Sequence, residues 1–184
     1  MKYISAFLQH RTNGWSLLVS TAIFAIFITV ILPQQSLASA VYSKGVGGVD
    51  TRFYYTPGEV YQIAEAYGES GRRAYITARL TFDLVWPWAY AFFFGSLISF
   101  VFTRTFPSES RWQLANLVPV VGLCFDYAEN LGISLIMAAF PLRLDGLAWA
   151  TTMFTMLKWV FVNASFLIPA VGLGIWSVNR VRKR

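Results

Sequence analysis

Charged residues are scarce in this sequence, at 13% of 184 positions, whereas soluble domains carry about 25%. This scarcity argues against a soluble globular domain. The single cysteine, Cys124, excludes an intrachain disulfide and a thiol-redox or quinone-reducing pair, and its apolar surroundings predict a small buried hydrophobic residue. The single histidine, His10, excludes a histidine-rich metal or haem site. We expect no metal and no cofactor; a site made of carboxylates alone would have to use Asp126 and Glu129.

The net charge of +6 does not indicate a nucleic-acid partner. Four of the fifteen basic residues follow the last apolar run directly, at Arg180, Arg182, Lys183 and Arg184. Such a cluster is how membrane proteins mark a cytoplasmic end. No basic stripe interleaved with aromatic residues is present, so we expect no binding of nucleic acid.

Long apolar runs dominate the sequence instead. A membrane-spanning helix needs about 20 mainly apolar residues. Four segments meet this requirement, and they predict an all-α, single membrane domain over residues 1–184. We expect an integral membrane four-helix bundle with spans at about 15–32, 74–102, 114–140 and 147–178, and with an outer loop at 33–73. The last three spans have short connections and should therefore be antiparallel neighbours.

The flanking charges predict the orientation of these spans. Basic residues precede span one, lie between spans two and three as Arg104 and Arg111, and follow span four. The loop after span three has only Arg143, which Asp145 balances. Both termini should therefore face the cytoplasm in a multi-pass protein of the inner (plasma) membrane.

Residues 1–40 also permit a second interpretation, a cleaved secretory signal. Small residues at Ala38, Ser39 and Ala40 suit signal peptidase. The preceding apolar stretch has about 18 residues, longer than the 7–15 of a usual signal. We therefore favour a retained first helix; cleavage would leave three spans in the same orientation.

The outer loop contains the signature of a short amphipathic helix. Thr56 and Glu59 have the spacing of a capping box, and Pro57 suits the first turn. An apolar stripe then follows at the spacing i, i+3, i+4, i+7, and Gly68 suits the stop. The stripe comprises Val60, Ile63, Ala64 and Tyr67. This helix should cover the mouth of the bundle or lie at the lipid interface.

Polar residues inside the apolar runs are the candidate functional site. Asp126, Glu129 and Asn130 share one helical face, and a charge at membrane depth costs several kcal/mol unless it is paired. We expect a charged seam that binds a ligand or holds ion pairs. Its members are Arg79, Asp83, Tyr90, Asp126, Glu129, Asn130 and Lys158.

Depth along the helices predicts the partners in this seam. At about 1.5 Å per residue, Asp126 and Lys158 lie at similar depth, so we expect them to pair. Arg79 should pair with Asp83 at i, i+4 and also reach toward Glu129. Thr151 and Thr155 lie on the face of Lys158, and Pro87 and Pro169 should loosen their helices beside a cavity. Three carboxyls against two cations leave one carboxyl surplus.

Three stretches carry a resemblance to a family. The first two are Tyr55-Thr56-Pro57-Gly58-Glu59-Val60-Tyr61 and Gly68-Glu69-Ser70-Gly71-Arg72-Arg73-Ala74-Tyr75. The third is Asp126-Tyr127-Ala128-Glu129-Asn130. Together with Asp83, Pro87 and Tyr90, they resemble a family of small uncharacterised bacterial four-transmembrane-helix membrane proteins. The resemblance covers roughly residues 50–135 and implies topology but no activity. The layout is also similar to sterol-binding and sterol-isomerase four-helix proteins, but the isomerase histidine is missing from every span.

Three functions are compatible with these features. The first is a module that binds or transports a small amphipathic or cationic ligand at the seam. The second is a structural or accessory subunit that binds another membrane protein and uses its ion pairs for architecture. The third is an intramembrane enzyme with a protonated carboxyl as general acid. In each case the lipid bilayer is a partner.

Overall fold

The computed structural model describes residues 2–182, which are helical throughout apart from short connections and contain no β-strand. Lys183 and Arg184, two of the four residues in the terminal basic cluster, lie outside the described residues. The elements are α1 (Lys2–Arg11), α2 (Gly14–Ile26), a π-helical segment (Phe27–Ile31), α3 (Leu32–Tyr42), a 3-10 turn (Val49–Thr51), α4 (Pro57–Thr105), a 3-10 segment (Arg111–Leu117), α5 (Val118–Ala139) and α6 (Asp145–Arg182).

Four helical stretches within the described chain are long and apolar enough to cross a membrane. They are Gly14–Tyr42, Pro57–Thr105, Arg111–Ala139 and Asp145–Arg182. The predicted number of such helices is therefore confirmed, and it is compatible with a multi-pass membrane protein. Each stretch extends beyond the span that hydropathy outlined, because polar residues at helix ends continue the helix outside its apolar part.

The first stretch does not end at Pro33, as the sequence predicted. Helical structure continues to Tyr42, and Pro33 lies in the first turn of α3. The π-helical segment Phe27–Ile31 directly precedes it. The i→i+5 hydrogen bonds of this segment shift the backbone pairing next to the proline, which has no N–H to donate, and the helix continues past it.

Gly68 separates the predicted amphipathic helix from the second span. Its φ of 67° and ψ of 179° are non-helical, so α4 consists of two helices that meet at this residue. A positive φ is costly for side chains with a Cβ and free for glycine. The stop predicted at Gly68 is therefore confirmed, but the chain forms a kink and resumes the helix at once.

Pro87 and Pro169 do not interrupt their helices. Both lie inside helices that continue, α4 and α6 respectively. The Tyr127 hydroxyl of α5 donates to the carbonyl of Leu84 at 2.6 Å, one turn before Pro87. A neighbouring side chain thus bonds a carbonyl in the turn that the proline weakens, as is common in apolar surroundings.

The described chain divides into two compact units. The first comprises residues 2–25, 88–123 and 160–182, and the second comprises residues 26–87 and 124–159. All residues of the predicted seam except Tyr90 belong to the second unit.

In the first unit, a buried polar contact joins α1 to the 3-10 segment. Ser5 Oγ donates to Asn116 Oδ1 at 2.7 Å, and Asn116 Nδ2 donates to the Ser5 carbonyl at 3.1 Å and to Ser99 Oγ at 3.0 Å. These buried groups therefore satisfy one another. The rings of Phe94 and Phe166 meet edge to face, 4.4 Å between centroids, and join α4 to α6.

In the second unit, the core forms around the start of α4. The predicted apolar stripe is at most 3% exposed. Its residues share one cluster with side chains of α5 and α6, namely Ile133, Ile136, Met137 and Ala148. The amphipathic helix therefore packs on α5 and α6 through this stripe.

The capping box at the start of α4 is formed. The Thr56 N–H donates to Glu59 Oε2 at 2.7 Å, and the Glu59 N–H donates to Thr56 Oγ1 at 3.3 Å. Two backbone N–H groups that the helix leaves free are thereby satisfied. This local feature fixes where the helix begins.

Cys124 is exposed, so its predicted burial is wrong. The prediction relied on the apolar run around it. Cys124 lies on the face of α5 opposite Asp126, Glu129 and Asn130, so burial of the polar face turns the cysteine outward.

Candidate functional site

The acidic face of α5 is buried in the second unit. Asp126 is 7%, Glu129 0% and Asn130 6% exposed. Asn130 Nδ2 donates to Asp126 Oδ1 at 3.0 Å, which links two residues one turn apart. The i, i+3, i+4 spacing read from the sequence therefore gathers the three polar side chains inside the unit.

Lys158 of α6 pairs with Glu129. Its Nζ lies 2.5 Å from Glu129 Oε2, and the lysine side chain is 9% exposed. The predicted Asp126–Lys158 pair is therefore wrong. Asp126 and Glu129 differ by about one helical turn, a distance that a lysine stem covers, so depth could not discriminate between them. The rotation of α5 against α6 selects Glu129.

Arg79 of α4 makes the second ionic contact. Its Nε lies 2.7 Å from Asp83 Oδ2, which confirms the predicted i, i+4 pair. Its other contact is with Asp50, where Nη1 lies 2.8 Å from Oδ2. Asp50 thus takes the place that the sequence assigned to Glu129, because the loop before α4 folds back onto the helices.

Asp50 is the member of the site that sequence reasoning missed. Tyr75 donates its hydroxyl to Asp50 Oδ1 at 3.0 Å, and Lys158 Nζ donates to the Asp50 carbonyl at 3.2 Å. Only 17% of the Asp50 side chain is exposed. Burial by itself would raise the pKa of Asp50, but attraction by Arg79 and Lys158, with the hydrogen bonds from Arg79 and Tyr75, lowers it below its ordinary value.

One signal in the sequence could have pointed to Asp50. It stands between glycines and the aromatic pair Tyr54–Tyr55, next to Val49. Val49 and Tyr55 are both 0% exposed, so this part of the loop is core rather than surface. The available hint was a single carboxylate directly after a valine, in a loop rich in apolar and aromatic residues.

Tyr55 fixes the same loop to α6. Its hydroxyl lies 2.9 Å from Thr155 Oγ1, and Thr152 Oγ1 donates to the Tyr55 carbonyl at 2.9 Å. Burial raises the pKa of Tyr55, so the hydroxyl stays protonated. The Thr155 hydroxyl therefore contacts the loop residue Tyr55. The Thr151 hydroxyl donates to the Leu147 carbonyl of its own helix. These contacts replace the hydroxyl contacts with Lys158 that their shared helical face suggested.

Acidic side chains outnumber basic ones in this site. We define the charge cluster as two cations and four carboxylates of the second unit. Its members are Asp50, Arg79, Asp83, Asp126, Glu129 and Lys158. Arg79 pairs with two carboxylates and Lys158 with one, whereas Asp126 forms no ion pair with any residue in the described range. The acidic residues therefore outnumber the basic ones by two rather than by the predicted one.

Hydrogen-bond acceptors are also in excess along α5. Three buried side-chain oxygens of α5 have neither a hydrogen bond nor an ion-pair contact among residues 2–182, namely Glu129 Oε1, Asn130 Oδ1 and Ser134 Oγ. A buried polar atom without a partner costs about 1–3 kcal/mol. The arrangement thus favours a group that brings positive charge and hydrogen-bond donors.

Tyr90, the remaining predicted member of the seam, belongs to the first unit and is 2% exposed.

Within the described range, no three His, Cys, Asp or Glu side chains could hold a metal ion. The chain matches no protein-family model, no curated protein and no solved structure. The geometry of the charge cluster is therefore the basis for inferring a function.

Proposed function

We propose that the chain is an integral membrane four-helix bundle of the inner (plasma) membrane, with both termini in the cytoplasm, that binds a small cationic or amphipathic ligand at the charge cluster. Four apolar helices and the distribution of Arg104, Arg111 and the terminal basic residues support this topology. The proposed membership in a family of small bacterial membrane proteins rests on the sequence resemblance alone.

The excess of buried carboxylates carries the proposal of a cationic ligand. A network of ion pairs that only supports the architecture stabilises the fold most when its charges balance, because each uncompensated charge in an apolar interior costs several kcal/mol. Here Asp126 has only the Asn130 amide as a partner in the described chain. An ammonium or other lipophilic cation beside Asp126 would offset one negative charge and supply a partner to the free acceptors of α5.

The loop that carries Asp50 and Tyr55 gives this site a cover. Both residues lie between the glycine-rich stretch 45–48 and the capped start of α4, and both contact residues of the cluster or its neighbours. Access to Asp126 from the aqueous side would require this cover to shift. In that case the binding of a cation should be slow relative to diffusion.

The test uses the lipophilic cation octylammonium, whose ammonium donates hydrogen bonds, and octyl sulfate, an anion with the same chain length. The full-length protein in phosphatidylcholine nanodiscs should bind radiolabelled octylammonium saturably and should not bind octyl sulfate saturably. Asp126→Asn should lower the affinity for the cation at least about tenfold, because it removes a charged contact worth about 1.5–3 kcal/mol. Asp145→Asn, which alters an exposed carboxylate paired with Arg143, is the matched control and should bind as wild type does.

A second candidate is an accessory subunit whose ion pairs serve architecture. The observation in its favour is that both cations of the cluster already have carboxylate partners at 2.5–2.8 Å. In that case Asp126→Asn should leave octylammonium binding unchanged and raise thermal stability, since it removes a buried carboxylate that has no ion-pair partner. Equal binding of both ions, or equal binding by wild type and Asp126→Asn, would contradict the ligand proposal.

A further inference from the structure

A groove lies between α4 and the end of α5 in the second unit, away from the charge cluster. Its volume is about 460 Å³, within the range of small-molecule sites. Its polar lining consists of Glu69, Arg72 and Arg73, and its apolar lining includes Ile76, Met137 and Phe140. A site with guanidinium groups at one side and apolar side chains at the other suits an amphipathic anion.

The charged groups of the groove have a net charge of +1. Arg73 pairs with Glu69 at 2.5 Å, and both side chains are more than 70% exposed. Arg72 lies with its guanidinium carbon 4.4 Å from the centre of the Phe140 ring and donates through Nη1 to the Ala64 carbonyl at 2.9 Å. Stacking and this hydrogen bond hold the Arg72 fork in place, and guanidinium forks match phosphate geometry.

The length of α5 locates the groove at the level of lipid headgroups. Its 22 residues span about 33 Å, close to the hydrocarbon thickness of about 30 Å. Met137, in the last turn of this helix, and Phe140, just after it, therefore fall at a membrane boundary. Exposed leucines follow the groove residues at helical spacing, with Leu80 and Leu84 after Ile76 on α4 and Leu135 and Leu131 before Ala138 on α5.

We propose that this groove binds an anionic phospholipid, with the phosphodiester at Arg72 and Arg73 and an acyl chain along the exposed leucines. The single negative charge of a phosphodiester matches the net charge of the three ionised side chains. The site is independent of the charge cluster and of any cationic ligand there. It would hold a lipid at the point where the amphipathic helix meets the second span.

Native mass spectrometry of the full-length protein in detergent micelles tests the assignment with phosphatidylglycerol as probe. We expect phosphatidylglycerol to bind more tightly than phosphatidylcholine. Arg72→Gln should lower the affinity for phosphatidylglycerol about fivefold, which is the effect of about one basic residue near a lipid surface. Glu69→Gln should raise this affinity by a similar factor, because it releases Arg73 from its ion pair. These two changes act in opposite directions, so a loss of folding cannot produce both.

Two controls separate this site from other sources of binding. Arg143→Gln removes an exposed arginine that is not part of the groove and should leave the affinity unchanged. Soluble glycerol 3-phosphate should not displace the lipid, because it lacks acyl chains. The proposal fails if phosphatidylcholine binds as tightly, if Arg143→Gln weakens binding as much as Arg72→Gln, if Glu69→Gln has no effect, or if glycerol 3-phosphate displaces the lipid.

Discussion

The ammonium of Lys158 lies 2.5 Å from the carboxylate of Glu129, and Glu129 is completely buried. This contact joins α5 to α6 in the part of the second unit where the loop residue Asp50 also arrives. A buried ion pair adds little stability compared with an apolar pair of the same shape, but removing one partner strands the other charge. The two residues should therefore behave as a unit in mutagenesis.

Lys158→Met should destabilise the protein by about 3–5 kcal/mol, because Glu129 loses its cation. Combining Lys158→Met with Glu129→Gln should recover much of this loss, whereas combining it with Asp126→Asn should recover less. Thermal unfolding in micelles of the wild type, the three single variants and the two double variants measures the coupling. Equal recovery with Asp126→Asn would mean that Lys158 does not discriminate between the two carboxylates.

Asp50→Asn should lower the free energy of unfolding at pH 7 by about 1.5–3 kcal/mol, the value of hydrogen bonds to charged groups. Since the pKa of Asp50 is lowered from its ordinary 3.8, the stability that its charge contributes is complete above that pH. It should disappear as the pH falls through the native pKa. The difference between wild type and variant should therefore be constant from pH 7 to about 5 and shrink below pH 3.8.

The control for Asp50→Asn is Asp145→Asn. The Asp145 side chain is 53% exposed, so this substitution should change stability little. A difference between Asp50→Asn and wild type that persists in full at pH 2 would contradict the assignment. So would the absence of any difference at pH 7.

Thr56→Ala should remove the N-cap of α4 and cost about 0.5–2 kcal/mol. The change should also lower hydrogen-exchange protection over residues 57–67, which pack through the apolar stripe on α5 and α6. Thr77→Ala is a matched control, because the Thr77 hydroxyl is exposed and bonds only to the Arg73 carbonyl in its own helix. If both variants lose the same protection, the cap is not what holds the amphipathic helix.

Reporter fusions test the proposed topology. A fusion after Arg104 and a fusion at the carboxyl terminus should both read cytoplasmic, and a fusion after Arg143 should read external, since the basic residues flanking the spans determine orientation. The fusion after Arg143 is the internal control for the other two. An external carboxyl terminus would reverse the orientation and place the phospholipid groove in the opposite leaflet.

Local features were predictable because they depend on one segment at a time. The apolar length of each helix follows from composition, the capping box of Thr56 and Glu59 from a three-residue spacing, and the Arg79–Asp83 pair from a helical i, i+4 relation. The burial of the apolar stripe followed from its 3.6-residue period. None of these requires knowledge of a neighbouring element.

The composition of the charge cluster was decided only by tertiary structure. Asp50 reaches Arg79 because the loop folds back, and no local rule fixes the path of a glycine-containing loop. Lys158 meets Glu129 rather than Asp126 because of the rotation of α5 against α6, and both carboxylates lie on one face of α5, so periodicity does not discriminate between them. Cys124 is exposed because this polar face is the buried one. The sequence alone determined which charges enter the apolar helices; packing between helices and loop determined which of them meet.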